Sequence, residues 1–144
     1  MSDYHYSKHI SGATTYHEGS LINCYDADIS ARGSFIPAPT FTAEGFNCDT
    51  SAKVVSAGSA TVVIDQLTAE TVEFTVQSSA TMHIKALNVK TATILVEASA
   101  TLQIDGGQVG NISGTVQGAS TGVCKAVITG RDDVQVKDAS TWNA

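Results

Sequence analysis

The chain has 144 residues, enough for one domain with a sizeable core, and a formal net charge of −6 from 14 acidic and 8 basic residues. That balance excludes the basic footprint of a nucleic-acid binder, and no apolar run approaches the roughly eighteen residues of a membrane span. Charged residues make up only 15%, and the abundance of Thr, Ser and Val favours strands over helices.

The first third differs in composition from the rest. All four tyrosines, Tyr4, Tyr6, Tyr16 and Tyr25, fall here, followed by Phe35, Phe41 and Phe46, and His5, His9 and His17 are interspersed. No basic segment followed by an apolar one opens the chain, so no secretory signal is expected. Pro37 and Pro39 flank Ala38, and alternating prolines forbid helix and favour extended backbone. Residues 1–40 are therefore expected as an N-terminal arm ending in an extended connector. One imperfect coil is read through Ile22, Cys24, Ala27 and Ile29. Exposed aromatics on an arm call for a partner surface, either the first coil, which needs a cap, or a neighbouring subunit. Tyr4, Tyr6, Tyr16, Tyr25, Phe35, Phe41 and, at the far end, Trp142 are the candidate docking residues.

From residue 59 a repeat takes over. Thr61, Thr81, Thr101, Thr121 and Thr141 keep an unbroken period of 20. Ile64, Ile84, Ile104 and Cys124 follow the same step, as do Val76, Val96, Val116 and Val136. Two further columns are Leu67, Leu87, Gly107, Val127 and Phe74, Ile94, Gly114, Val134. Within each unit, apolar and polar positions alternate, the signature of strands. One coil cannot bury its apolar side alone, so coils must stack about 4.8 Å apart, like on like. Residues 41–144 are expected as an all-β fold, a β-solenoid (β-helix) of about five 20-residue coils. Ile84, Ile94 and Ile104 should be buried. A leucine-rich repeat needs an Asn ladder that is missing, and a pentapeptide coil needs Asp/Asn-Leu pairs that are largely missing.

The words Ser59-Ala60-Thr61, Leu67-Thr68-Ala69-Glu70 and Ser79-Ala80-Thr81 resemble the rhythm of the adhesin-head GIN domain family of stacked β-coils, over residues 54–141. The resemblance implies a surface-exposed, non-catalytic role and offers no catalytic residue.

Cys24, Cys48 and Cys124 lack zinc-site spacing and are read as reduced thiols, with an intermolecular disulfide as the alternative. A Cys24–Cys124 bond is not expected. Five coil steps separate the two by about 24 Å, and a disulfide needs Cα atoms within about 7 Å. His5 and His9 lie in a stretch that does not look helical and complete no metal motif. His83 falls on an outward column. Asp132-Asp133 could perform acid–base work, but Asp132 occupies the Val72, Ala92, Ile112 column, where a charge suggests a coil opening into a capping loop. Asp105-Gly106-Gly107 reads as a turn. The Ser-x-Thr corners make outward hydroxyl columns like those of ice-binding solenoids. Positions 119 and 139 switch to Ala, and backbone capping explains the words as well.

No cofactor, metal or enzymatic activity is expected. The reading is a structural or assembly protein, a rigid spike or decoration module such as a virion capsid or tail component, made in the cytoplasm. The alternative is a bacterial surface adhesin-like module binding a glycan or protein. Expected partners are further copies of the chain, with a trimer favoured because both ends carry apolar surface, or a larger protein shell. Nucleic acid and membrane insertion are not expected.

Overall fold

The structure, a computed structural model, describes residues 4–33 and 38–144. The elements are β1 (His5–Ser11), β2 (Thr15–Gly33), β3 (Thr40–Gly58), β4 (Thr61–Val76), β5 (Thr81–Val96), β6 (Thr101–Ile104), β7 (Gly107–Val116), β8 (Thr121–Cys124), β9 (Val127–Ile128), β10 (Asp132–Val136) and β11 (Thr141–Asn143). Every pairing among them is parallel, and each coil lies on the one before it. The fold is a β-solenoid of about seven turns.

The burial pattern explains the shape of one coil. In β4 the side chains of Val62, Ile64, Leu67, Ala69, Val72, Phe74 and Val76 point inward and are buried. Alternation breaks at Asp65-Gln66 and again at Glu70-Thr71, where two successive residues avoid the core. Each break turns the chain, so a coil has three short sides, closed by the corner 77–80. β5 repeats the pattern in register, with Thr61 beside Thr81, Ile64 beside Ile84 and Val76 beside Val96. Ile84, Ile94 and Ile104 are buried as the period requires. Ala60, Ala80 and Ala100 close the corner from inside, and Ser120 continues their column. The corner requires left-handed backbone at Gly58, Ser78, Ala98, Gly118 and Asp138. Glycine fits that conformation without strain, whereas each other residue type there costs about 1 kcal/mol.

The stack reaches further towards the N-terminus than the twenty-residue period indicates. Residues expected to form an arm pair as coils: Tyr6 lies beside Ala27, Ala27 beside Ala52, and Ala52 beside Val72. Two local features hide this from the sequence. Six positions, 34–39, separate Gly33 from Thr40 in sequence where only Ser59 and Ala60 separate Gly58 from Thr61, an insertion of four residues. Register shifts also fall between Glu18 and Leu21 and between Cys24 and Asp26 in the β2–β3 pairing, and between Asn47 and Ser51 in the β3–β4 pairing. Ile22, Cys24, Ala27 and Ile29 do belong to the ladder, but Ile22 sits beside Phe46 and Ile29 beside Val54, steps of 24 and 25. Of the proline connector, Pro39 is buried and its carbonyl accepts the Thr61 amide at 3.0 Å.

Two further expectations are corrected near the C-terminus. Val127 does not follow Gly107. It lies beside Gln108 and is exposed, while Ala126 is buried in its place. The coil also stays closed at Asp132, which pairs in register with Ile112. Its carboxylate faces solvent and holds a neighbour, as described below.

Candidate functional site

The described aromatic residues of the first third converge on the N-terminal end of the stack. Tyr16 continues the inward column of Phe41 and Val62, and Glu18 continues that of Ala43 and Ile64. Tyr16 stacks on Phe41 with ring centroids 5.7 Å apart, and Tyr6 leans on Phe46 at 4.7 Å. Both phenols donate to Glu18 Oε2, Tyr16 at 2.8 Å and Tyr6 at 3.2 Å. The Lys8 ammonium sits 4.0 Å from the centre of the Tyr16 ring. The result is a plug: rings fill the coil interior, and one carboxylate gathers their hydroxyls.

This placement changes the docking set. Tyr6 and Phe41 are buried within the chain's own core and present no docking surface. Tyr16 and Tyr25 are half-buried, Tyr25 with its ring 5.5 Å from that of His5. Tyr4 remains exposed, as does Leu21. Phe35 lies outside the described residues.

The phenols of the plug hold their protons above the ordinary tyrosine value of 10.0. For Tyr6 the main cause is burial, followed by the Glu18 charge. For Tyr16 it is the hydrogen bond to Glu18, followed by lost hydration. A group whose folded pKa exceeds its unfolded value stabilises the fold below the unfolded pKa, and that contribution disappears as pH rises through the folded pKa. Thermal stability should therefore decline once pH passes about 10, where unfolded tyrosines ionise. Tyrosinate absorbance should show two phenols titrating late, and Glu18→Gln should bring them down. Tyr6 and Tyr16 titrating at the ordinary tyrosine value would contradict the plug.

Trp142 occupies the other end. It follows Val62, Met82, Leu102 and Gly122 in an inward column, and its indole lies against the Gly122 backbone. A Cβ on Gly122 would meet the ring at 2.6 Å. The indole N–H donates to Asp132 Oδ2 at 2.9 Å. Asp132 is thus an anchor for the ring, and its neighbour Asp133 lies 3.7 Å from Arg131. Because Trp142 is the sole tryptophan, Gly122→Ala should push the indole outward and shift its fluorescence to longer wavelength. An unchanged emission maximum would refute the stacking.

Between the ends, outward positions form straight rows. Thr61, Thr81, Thr101, Thr121 and Thr141 make one, and Val63, His83, Gln103, Val123 and Asn143 another. A third alternates in charge through Asp65, Lys85, Asp105 and Lys125. Lys85 lies 3.2 Å from Asp65, and His83 lies 2.7 Å from Asp105, whose carboxyl is held below its usual range mainly by that hydrogen bond. Glu97 accepts from Gln77 at 2.8 Å and from Gln117 at 3.1 Å. Exposed pairs of this kind each contribute at most about 1 kcal/mol and serve mainly to fix side-chain positions.

His5 and His9 lie on one strand and take separate partners. His5 Nδ1 is 2.8 Å from Asp26, and His9 Nε2 is 3.6 Å from Asp28. Four residues of extended chain span about 13 Å, too far to share one ion. Among the described residues, no three His, Cys, Asp or Glu side chains gather as a metal set would. Sequence reasoning missed Glu18, whose inward column is displaced by the irregular step, and the pairing of Gly122 with Trp142. It also missed the close approach of Cys24 to Cys48, again because their step is 24.

Comparison with known proteins gives no matching family model, no matching curated protein and no matching solved structure.

Proposed function

We propose that the chain is a non-enzymatic structural protein, a rigid rod that decorates a larger particle, such as a virion capsid or tail, and associates with its own copies, most simply as a trimer. The observation that supports this is the step of 20 that β4 through β11 keep everywhere but at β9, which turns the outward positions of those strands into straight rows. Such rows give a stiff, repeating surface suited to contacts along the rod. Exposed Tyr4 and Leu21 place the most accessible apolar side chains of the first coils near the plugged end, which is the end we assign to attachment. The corner words shared with the adhesin-head GIN family favour a second reading, a surface module binding a glycan or protein through the same rows.

Deleting residues 1–36 would not test this cleanly, since it strips Tyr6 and Tyr16 from Phe46 and Phe41. Point changes at Tyr4 and Leu21 keep Tyr6, Tyr16 and Glu18 in place and give up only the edge contact of Tyr4 with the Tyr6 ring, whose centroids are 6.4 Å apart. Sedimentation velocity of the full chain should show an oligomer that Tyr4→Ala with Leu21→Asp disperses while strand content is kept. A monomer throughout the micromolar range would overturn self-association. Glycan binding by such a monomer would support the second reading, and so would a gene set among secretion functions rather than capsid or tail genes.

A further inference from the structure

Cys24 and Cys48 stand side by side in the β2–β3 pairing, one on each of two successive coils. Their Sγ atoms are 3.3 Å apart, and both side chains are buried. In-register residues on neighbouring parallel strands have Cα atoms about 4.8 Å apart, inside the range that a disulfide spans. Among the in-register pairs of this stack it is the one made of two cysteines. Cys124 lies in another column, beside Ile104, and on a distant coil.

We propose that Cys24 and Cys48 form a dithiol–disulfide site, oxidised by a low-molecular-weight disulfide such as oxidised glutathione, that staples two coils together. One cysteine thiolate attacks a sulfur of the oxidant, joining it as a mixed disulfide and expelling one glutathione thiolate. The other cysteine thiolate then attacks the protein sulfur of that mixed disulfide and expels the second. The two thiol protons end on two glutathione molecules, so the oxidant's disulfide is reduced as the Cys24–Cys48 bond forms. Burial pushes both thiols up from their ordinary pKa. Thiolate is therefore scarce in the closed stack, and exchange waits on local opening of β2 from β3. The closed stack then holds the two sulfurs together, which favours the bond once made. This site stands independently of the function proposed above.

The position of the bond next to a register shift matters for its effect. The ladder is irregular between Cys24 and Asp26, so backbone pairing there is weaker than on the regular coils. A covalent link at that point holds the first coils in register where hydrogen bonding does so least well.

The test is equilibration of the full chain in glutathione buffers of graded redox ratio, with and without denaturant, followed by acid quench, alkylation and peptide mapping. In native buffer the expected product is a Cys24–Cys48 linked peptide with Cys124 alkylated. Its effective concentration should exceed that in denaturant by about tenfold or more, because the native stack favours the bond. Oxidation should also raise Tm by roughly 5–10 °C. Cys24→Ala and Cys48→Ala should each abolish that rise, and Cys124→Ala should retain it. The proposal is overturned by three free thiols at the most oxidising ratio, by a link through Cys124, by persistent glutathione adducts, or by an effective concentration no higher than in denaturant.

Discussion

Gly107→Ala should destabilise the protein by about 4 kcal/mol, while Gly106→Ala, one residue away, should change stability by no more than about 0.5 kcal/mol. A Cβ on Gly107 would sit 2.1 Å from the Leu87 carbonyl oxygen, at a φ of +106°. A Cβ on Gly106 would find its nearest neighbour at 3.8 Å. The difference lies in what must move. At Gly107 the obstacle is the backbone of the adjacent coil, itself held in the ladder, so relief means separating coils. The left-handed conformation adds strain of its own. Gly114 presents the same problem more severely, with φ +134° and the Ile94 carbonyl oxygen 1.8 Å from the added atom. For a chain of this length the Gly107 change should lower Tm by roughly 10 °C. Thermal melts of the two alanine variants side by side decide it, and equal melting temperatures would show that the coils are not in this register.

Ile84→Ala should cost about 2–5 kcal/mol, and Ile84→Val about 1 kcal/mol. Ile84 is fully buried and lies between Ile64 and Ile104 in a continuous column. Truncation opens a void on two interfaces at once, because each coil touches only its neighbours and both contribute to covering the side chain. Val127→Ala is the control, since Val127 is 59% exposed and should tolerate the change within about 0.5 kcal/mol. Denaturant titration of the three variants measures all of these. A small loss at Ile84 comparable to that at Val127 would place Ile84 outside the core.

The contrast between Ile84 and Tyr6 shows how far the sequence alone could be read. Ile84 repeats its neighbours at a constant spacing, and a constant spacing over uninterrupted coils translates directly into a column. Tyr6 belongs to an equally regular column, with Ala27, Ala52 and Val72. The insertion at 34–37 and the shift after Cys24 change the step from one coil to the next, so the same geometry leaves no period. Tyr6 also differs chemically from the alanines and valine below it, because the plug needs a donor for Glu18 as well as a ring for the core. A phenol meets both needs, ring inward and hydroxyl to Glu18. The aromatic clustering, which left a cap on the first coil and a docking arm as alternatives, marks a plug. The Asp132 anchor was hidden for a related reason: its partner, the Trp142 ring, comes from the following coil, and a residue's own repeat unit says nothing of such a neighbour.

The coil from Thr61 to Ala80 meets the next from Thr81 to Ala100 without a register shift. Its upper and lower surfaces are consequently interchangeable as templates. Duplicating residues 61–80 in tandem would insert a segment whose Ile, Leu and Val columns meet copies of themselves on both sides. The chain is in this sense a ruler graduated at about 4.8 Å per twenty codons, and its length could be altered by recombination within the gene, without redesign of either end.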